Sequence, residues 1–445
     1  MKQRKLKKKS IIFLLLIILI ITLSIIFIPK QFNKKDPNTN DALSNNTESI
    51  NYIEVVTEKL KNHNISREFI EWIDNNYDNS IEKLYTILKN NDYDISMWHE
   101  VTGYSYLVLN DLYTNKYDNM NIIKILDSKD EATLSFVGDV TLADDWFVAP
   151  KYDERNKGIY GILSSDTVEI MNNSDVMVAN SEFTVSNRGS SMEGKYYTFR
   201  AKPERLAIYY EMGVDLVTLG NNHVYDYGQD AFLDMLDAFK EYKIPYIGAG
   251  HNLEEASAPY YFIINGYKIA FLNGTRAEKF IMTPGATEDS EGVFRCYDPT
   301  NMINKINEVK KESDYVIVIM HYGKEGSHDL EPEQVKSSKL YIDAGADIIV
   351  GHHAHTLQGI EFYNNKPIIY NLGNFIFNLG TDDTAIFQIK LKNDGSMEYY
   401  IIPAQQKDVF TQILYDEEKA RVIADLNSWS VNANIDSNGK ITEIK

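Results

Sequence analysis

Residues 346–356 read ADIIVGHHAHT. The β-branched run Ile348–Val350 stops at Gly351, and His352, His353 and His355 follow within four positions, three of only nine histidines in 445 residues. A short apolar run that ends at turn residues predicts a buried strand. The same punctuation recurs along the chain. TLSFVGD ends at Asp139, VMVANSE at Asn180 and Glu182, and VTLGNNH at Asn222 and His223, with Asp226 three residues on. VIVIMH ends at His321, with Glu325 shortly after. Five apolar runs thus each deliver carboxylate, amide or imidazole groups at one end.

Between these runs the period changes from two to three and four. Helices are predicted near 158–172, over PERLAIYYEMG (203–213) and QDAFLDMLDAFKEY (229–242), and near 300–312 and 331–344. Hairpins are predicted to turn at Asn265-Gly266, Asn364-Asn365 and Asp394-Gly395. Alternating strand and helix followed by hairpins predict an α/β fold of central sheets with helices outside. In open folds of this class the ligand site lies beyond the carboxyl ends of the strands. Each strand end is unremarkable alone: Gly-Asp makes a turn, and Asn222 could cap a helix. Placed at one sheet edge, they make a donor set. Carboxylate, amide and several imidazoles suit divalent zinc, manganese or iron, as one or two ions, better than calcium with its all-oxygen shells.

The N-terminus has a different character. Residues 1–10 hold six lysines and arginines and no acid, and residues 11–28 are uncharged and apolar. A run of this length matches the hydrocarbon thickness of a bilayer. Pro29, Lys30 and Gln31 follow it, not a small-residue cleavage site. The expectation is a cytoplasmic basic tail (1–10) and a single-pass transmembrane anchor in the cell membrane (11–29), with the main domain extracellular. A polar linker (30–49) and a small helical module (50–127) come next. The principal domain spans 132–405 and a C-terminal extension 406–445. Beyond residue 35 the chain has 36 lysines and arginines against 64 acids, a charge near −28. Such a surface excludes nucleic acid as a partner. One cysteine, Cys296, excludes an intramolecular disulfide framework.

Seven motifs in order, GDVTL, NSE, TFRAKPE, LGNNHVYDYG, HYGKE, GHHAHTLQG and KPIIYNLGNFIF, resemble the CapA-type family of poly-gamma-glutamate capsule biosynthesis proteins. That family is similar to the calcineurin-like metallophosphoesterases, and the resemblance covers about residues 132–380. It implies a metallophosphoesterase-like β-sandwich flanked by helices. It also implies metal ligation by Asp139, Glu182, Asn222, His321, His353 and His355, with Asn180 and His352 as neighbours. A register that uses His352 within the histidine cluster stays open. His223 would protonate or stabilise the leaving group, with Asp226 orienting it. The wider superfamily has a histidine where this chain has Thr141, which removes a nitrogen ligand from one metal position. Arg200 and Lys202 of TFRAKPE, Glu325 of HYGKE and Asn374 of LGNFIF are the candidates for substrate contact. For the two cations the alternative is solvated charge before a proline-started helix.

Three functions follow. The first is a membrane-anchored, outward-facing, metal-dependent protein that hydrolyses or transfers at a phosphoester or amide centre while an anionic polymer such as poly-gamma-glutamate is built or exported. The second is an extracellular phosphatase or phosphodiesterase on a small substrate. The third is a non-enzymatic scaffold among the subunits of a polymer-synthase complex.

Overall fold

The computed structural model describes residues 50–119, 123–126, 129–278 and 282–445. The predicted anchor and linker lie outside them. Among the described residues no helix is long and apolar enough to cross a membrane. Residues Tyr52–Lys445 form one compact unit.

Two large sheets dominate that unit. One runs, edge to edge, Ile123–Ile125, Tyr260–Ile264, Tyr267–Thr275, Tyr315–Tyr322, Ile348–His353, Lys366–Ile369 and Ile360–Tyr363. The other runs Ala433–Ile435, Lys440–Glu443, Met397–Lys407, Thr381–Lys392, Glu131–Val140, Val176–Ser181, Leu216–Thr218 and Tyr246–Ile247. To it are added Asn374–Ile376, beside Glu131–Val140, and Phe410–Ile413, beside Met397–Lys407. The three predicted hairpins form as antiparallel pairs. Residues 406–445 are part of this architecture, since Lys440–Glu443 pairs with Met397–Lys407.

Strand alternation decides what each face buries. Ile269, Phe271, Ile317, Ile319, Ile348 and Val350 of the first sheet share one core with Leu134, Phe136, Val176, Val178 and Leu216 of the second. The sheets therefore pack face to face. The intervening residues face outward: Ala270, Leu272, Val316 and Val318 meet the helices Thr300–Val309 and Pro332–Asp343. On the other sheet, Met177 and Val217 meet Ser165–Asn172 and Gln229–Glu241. The predicted mixed α/β layering is what the chain adopts. The helix predicted near 158–172 is shorter, because Gly158–Gly161 is a separate 3₁₀ turn.

Five short helices between Tyr52 and Tyr113 bury their own cluster around Phe69, Ile73, Leu84 and Trp98. Polar contacts fasten this cluster to the first sheet. Fully buried Lys268 donates to Asp111 at 2.7 Å, Ser105 donates to Asp314 at 2.7 Å, and His99 stacks on Tyr267 at 4.3 Å. The Asn265-Gly266 turn sits under it: a Cβ on Gly266, at φ +75°, would lie 1.9 Å from the Gly103 carbonyl oxygen.

The parallel strands Glu131–Val140, Val176–Ser181 and Leu216–Thr218 of one sheet and Tyr315–Tyr322 and Ile348–His353 of the other carry the donor residues at or just beyond their carboxyl ends. Asp139 N donates to the Gly373 carbonyl at 2.8 Å, and a Cβ on Gly138 would stand 2.0 Å from that oxygen. Gly138→Ala is therefore expected to destabilise the fold by roughly 3 kcal/mol, as backbone must move to admit one methyl. A urea midpoint equal to wild type would refute this reading of the contact.

Candidate metal centre

Parity carries the first histidines inward. His321 continues the inner-face series Ile317 and Ile319, and His352 continues Ile348 and Val350. The chain then leaves strand geometry. His353 has φ +95° and His355 φ +56°, conformations that cost a non-glycine residue energy and cluster at functional sites. They bring His355 back over Asp139, with Nδ1 3.3 Å from Asp139 Oδ2.

Asn180 organises the carboxylates. Its Nδ2 donates to Asp139 Oδ1 at 2.8 Å and to Glu182 Oε2 at 3.1 Å. Its own Oδ1 accepts from Thr218 at 3.1 Å and Asn221 at 3.2 Å, which sets the amide's orientation. The other oxygen, Glu182 Oε1, is buried and has no hydrogen-bond partner. Around it stand His321 Nε2 at 3.6 Å, His355 Nε2 at 3.6 Å and His223 Nε2 at 3.9 Å. These separations are too long for hydrogen bonds and of the order expected between ligands of one cation at bonds of about 2 Å. Two donor groups share this glutamate: Asp139, Glu182 and His321, and Glu182, His353 and His355. Asn222 Oδ1 lies 2.8 Å from His321 Nε2, beside the first group.

Electrostatics fits a cation. Burial pushes the Glu182 carboxyl well above the usual range, and the nearby Asp139 charge adds to it. Burial acts the same way on Asp139, but the His355 hydrogen bond and charge overcome it and hold that carboxyl low. Burial lowers His321, His352 and His353, the last to about 3. Neutral imidazoles with an available lone pair are what a metal requires.

His352 belongs to neither donor group: its Nε2 bonds the Val137 carbonyl at 2.9 Å, tying the two sheets together beneath the site. Thr141 is buried, its hydroxyl accepting from Ala143 N at 3.4 Å, and contributes to neither group. Asn374 Oδ1 contacts His355 Nδ1 at 2.9 Å, which makes it a partner of the imidazole. Glu325 Oε1 lies 3.9 Å from His353 Nε2 at the opening. His223 Nδ1 is 2.7 Å from Asp226 Oδ2, so the predicted dyad is formed.

Arg200 and Lys202 are not brought to this opening. Arg200 packs over Tyr227 at 4.2 Å and donates to the carbonyls of Arg188 and Gly189. With Lys202 it lines a separate recess beside Asp144 and Asp145. The pocket at the donor groups, about 210 Å³, has walls of Trp146, Tyr197, Phe199 and Phe377 beside His223, His355, Glu325, Asn374 and Asn378. Among the described residues no lysine or arginine lines it. These aromatic residues carried no strand-end signature, and neither did Lys195, which reaches the His223 dyad from a loop. The aromatic density of TFR and NFIF was the available signal.

A family model for the bacterial capsule synthesis protein PGA_cap matches residues 133–379. The capsule biosynthesis protein CapA of Bacillus anthracis is 34% identical over 243 residues, 52% of this chain and 58% of that protein. The PGA biosynthesis protein CapA of Bacillus subtilis (strain 168) is 33% identical over 284 residues, 62% of this chain and 72% of its own. A probable polyglutamine synthesis accessory protein of Mycobacterium tuberculosis is 28% identical over 211 residues, 45% of this chain and 55% of its own. The match thus spans little more than half the length of the first and third.

Asn180→Leu removes the amide that spaces the two carboxylates. Loss of such a supporting hydrogen bond is expected to weaken divalent-metal binding by about 10–100-fold, read by manganese or zinc titration. Unchanged affinity would show that Asp139 and Glu182 hold their places without it.

Proposed function

This chain belongs to the family of bacterial capsule synthesis proteins, and from that premise we propose that it is a metal-dependent hydrolase or transferase in surface-polymer biosynthesis or export. The reaction centre is a phosphoester or amide, on a metallophosphoesterase-like scaffold. The relatives are named for capsule and PGA biosynthesis, and the polymer proposed for this chain is an anionic one such as poly-gamma-glutamate. The anchor at 11–29 would hold the catalytic unit outside the cell membrane, with polymer-synthase subunits beside it.

The observation that carries this reading is Glu182 Oε1, buried without a hydrogen bond and faced by three imidazoles. Asp139, Glu182, Asn222, His321, His353 and His355 would hold one or two ions of manganese, zinc or iron. Bound there, such ions polarise the reacting oxygen and supply hydroxide near neutral pH. The chain's own groups do the rest. His223 Nε2 faces the same glutamate oxygen and is placed to take up a proton and pass it to a leaving group, while Asp226, accepting from Nδ1, fixes the ring from behind. Trp146, Phe199 and Phe377 restrict water at the opening.

Three experiments test the reading. The purified chain should contain at least one equivalent of a divalent transition metal, lost on combining Asp139→Ala with His321→Ala. Less than one equivalent, or no loss in the double variant, would sink metal dependence. A scaffold role is the second reading, favoured by Thr141, which gives neither donor group a nitrogen. It predicts that His223→Ala leaves cellular polymer production intact, whereas the catalytic reading predicts its loss. Turnover of aryl phosphates with manganese would instead favour the small-substrate phosphatase.

A further inference from the structure

Asp139, Glu182, Asp226, Glu278 and Glu325 crowd the candidate centre and its flank. Among the described residues, the one lysine or arginine ion-paired to any of them is Lys195. Its side chain is only 6% exposed. Its Nζ lies 2.8 Å from Asp226 Oδ1 and 2.8 Å from Glu278 Oε1, and it donates to the backbone carbonyl of Asn222. The same carbonyl accepts from Thr283 Oγ1 at 2.9 Å. The ammonium therefore ties three pieces of chain together: the loop bearing Tyr196 and Tyr197, the Asn222–Asp226 turn, and the segment around Glu278.

The consequence reaches His223. Asp226 Oδ2 receives Phe199 N at 2.8 Å and faces His223 Nδ1 at 2.7 Å, while Oδ1 faces Lys195. A carboxylate offers only acceptors, so Nδ1 must carry the ring proton, and Nε2 is left turned toward Glu182. Without the ammonium, Asp226 Oδ1 would be buried beside Glu278 with no compensating charge, a costly arrangement that the pair would relieve by moving or taking up a proton. We propose that Lys195 is a positioning residue: it holds Asp226 in place as an acceptor and so fixes the tautomer and direction of His223. It also removes Asp226 and Glu278 from the set of carboxylates free to bind metal, leaving Asp139 and Glu182 inside the site and Glu325 at its opening. The inference deepens the catalytic reading given above and rests on His223 as its proton-carrying group.

The test is nitrogen-15 NMR of the full chain, metal-free and labelled at histidine, with the His223 ring signals assigned through His223→Gln. Wild type should show Nδ1 protonated and Nε2 unprotonated. Lys195→Met should convert that single pattern into a tautomer mixture, with the His352 signals unmoved, and should lower the thermal midpoint because Asp226 and Glu278 lose their counter-charge. Lys195→Arg should restore the wild-type pattern, and Asp226→Asn should reproduce the Lys195→Met pattern. Combining Lys195→Met with Asp226→Asn should then add little, the non-additivity expected of one unit. An unchanged His223 tautomer in Lys195→Met would overturn the proposal. So would a shift of all histidine signals together, or a Glu278→Gln variant as disturbed as Lys195→Met, since each marks a merely structural lysine. The readout needs neither metal nor turnover, so an inactive protein with the expected tautomers would defeat the catalytic reading and leave the positioning role standing.

Discussion

Two carboxylates, Asp139 and Glu182, are fully buried in one site and linked through a single amide. Like charges that close and that dry cannot both persist without hydrogen bonds and a cation, since an unpaired buried charge costs several kcal/mol even after relaxation. The arrangement around them answers that demand. Asn180 donates to both, and Thr218 and Asn221 lock Asn180. His355 bends over Asp139 through two left-handed backbone conformations. The remaining oxygen of Glu182 is left to three imidazoles at distances that suit a shared metal.

The fold makes this convergence cheap. Parallel strands end together, and two sheets packed face to face bring two such edges to one place. Each donor is then a strand-end residue whose direction follows from parity along its own strand, as with His321 after Ile317 and Ile319. The cost falls on the backbone at these strand ends, where neighbouring chain within each sheet comes too close for a side chain. Gly138 faces the Gly373 carbonyl, and Gly351 faces that of Tyr370 at 2.0 Å from a would-be Cβ. Between the sheets, His352 bonds the Val137 carbonyl.

What could be read in the sequence follows from the same geometry. Apolar runs with period two, ended by Asp, Asn or His, announce both the strands and the donors at their ends, because one local pattern encodes both. The dyad of His223 and Asp226 was legible for a similar reason: three residues of separation close into one turn. Arg200 and Lys202 show the limit. Their charge and motif suggested a ligand contact, but tertiary packing sends Arg200 over Tyr227 and, with Lys202, into a separate recess beside Asp144 and Asp145. Lys195 shows the converse. It sits in a polar loop, NRGSSMEGKYY, that looks solvated by composition, and only the fold reveals a 94% buried ammonium with three partners. Long-range ion pairs leave no periodic trace.

The lining of the pocket bears on the proposed substrate. Among the described residues, the pocket at the donor groups has aromatic walls and no lysine or arginine, and Lys195 is already compensated by Asp226 and Glu278. A chain with net charge −19 adds no long-range attraction for a polyanion. On the proposed reading an anionic group bound here would be met by metal, with His223, Asn374 and Asn378 as its polar neighbours, and the segment beside it would lie against Trp146, Phe199 and Phe377. Under that proposal a polymer would enter one charged group at a time, its other charges left in solvent beyond Glu325, because a second buried anionic group would lack a charged partner.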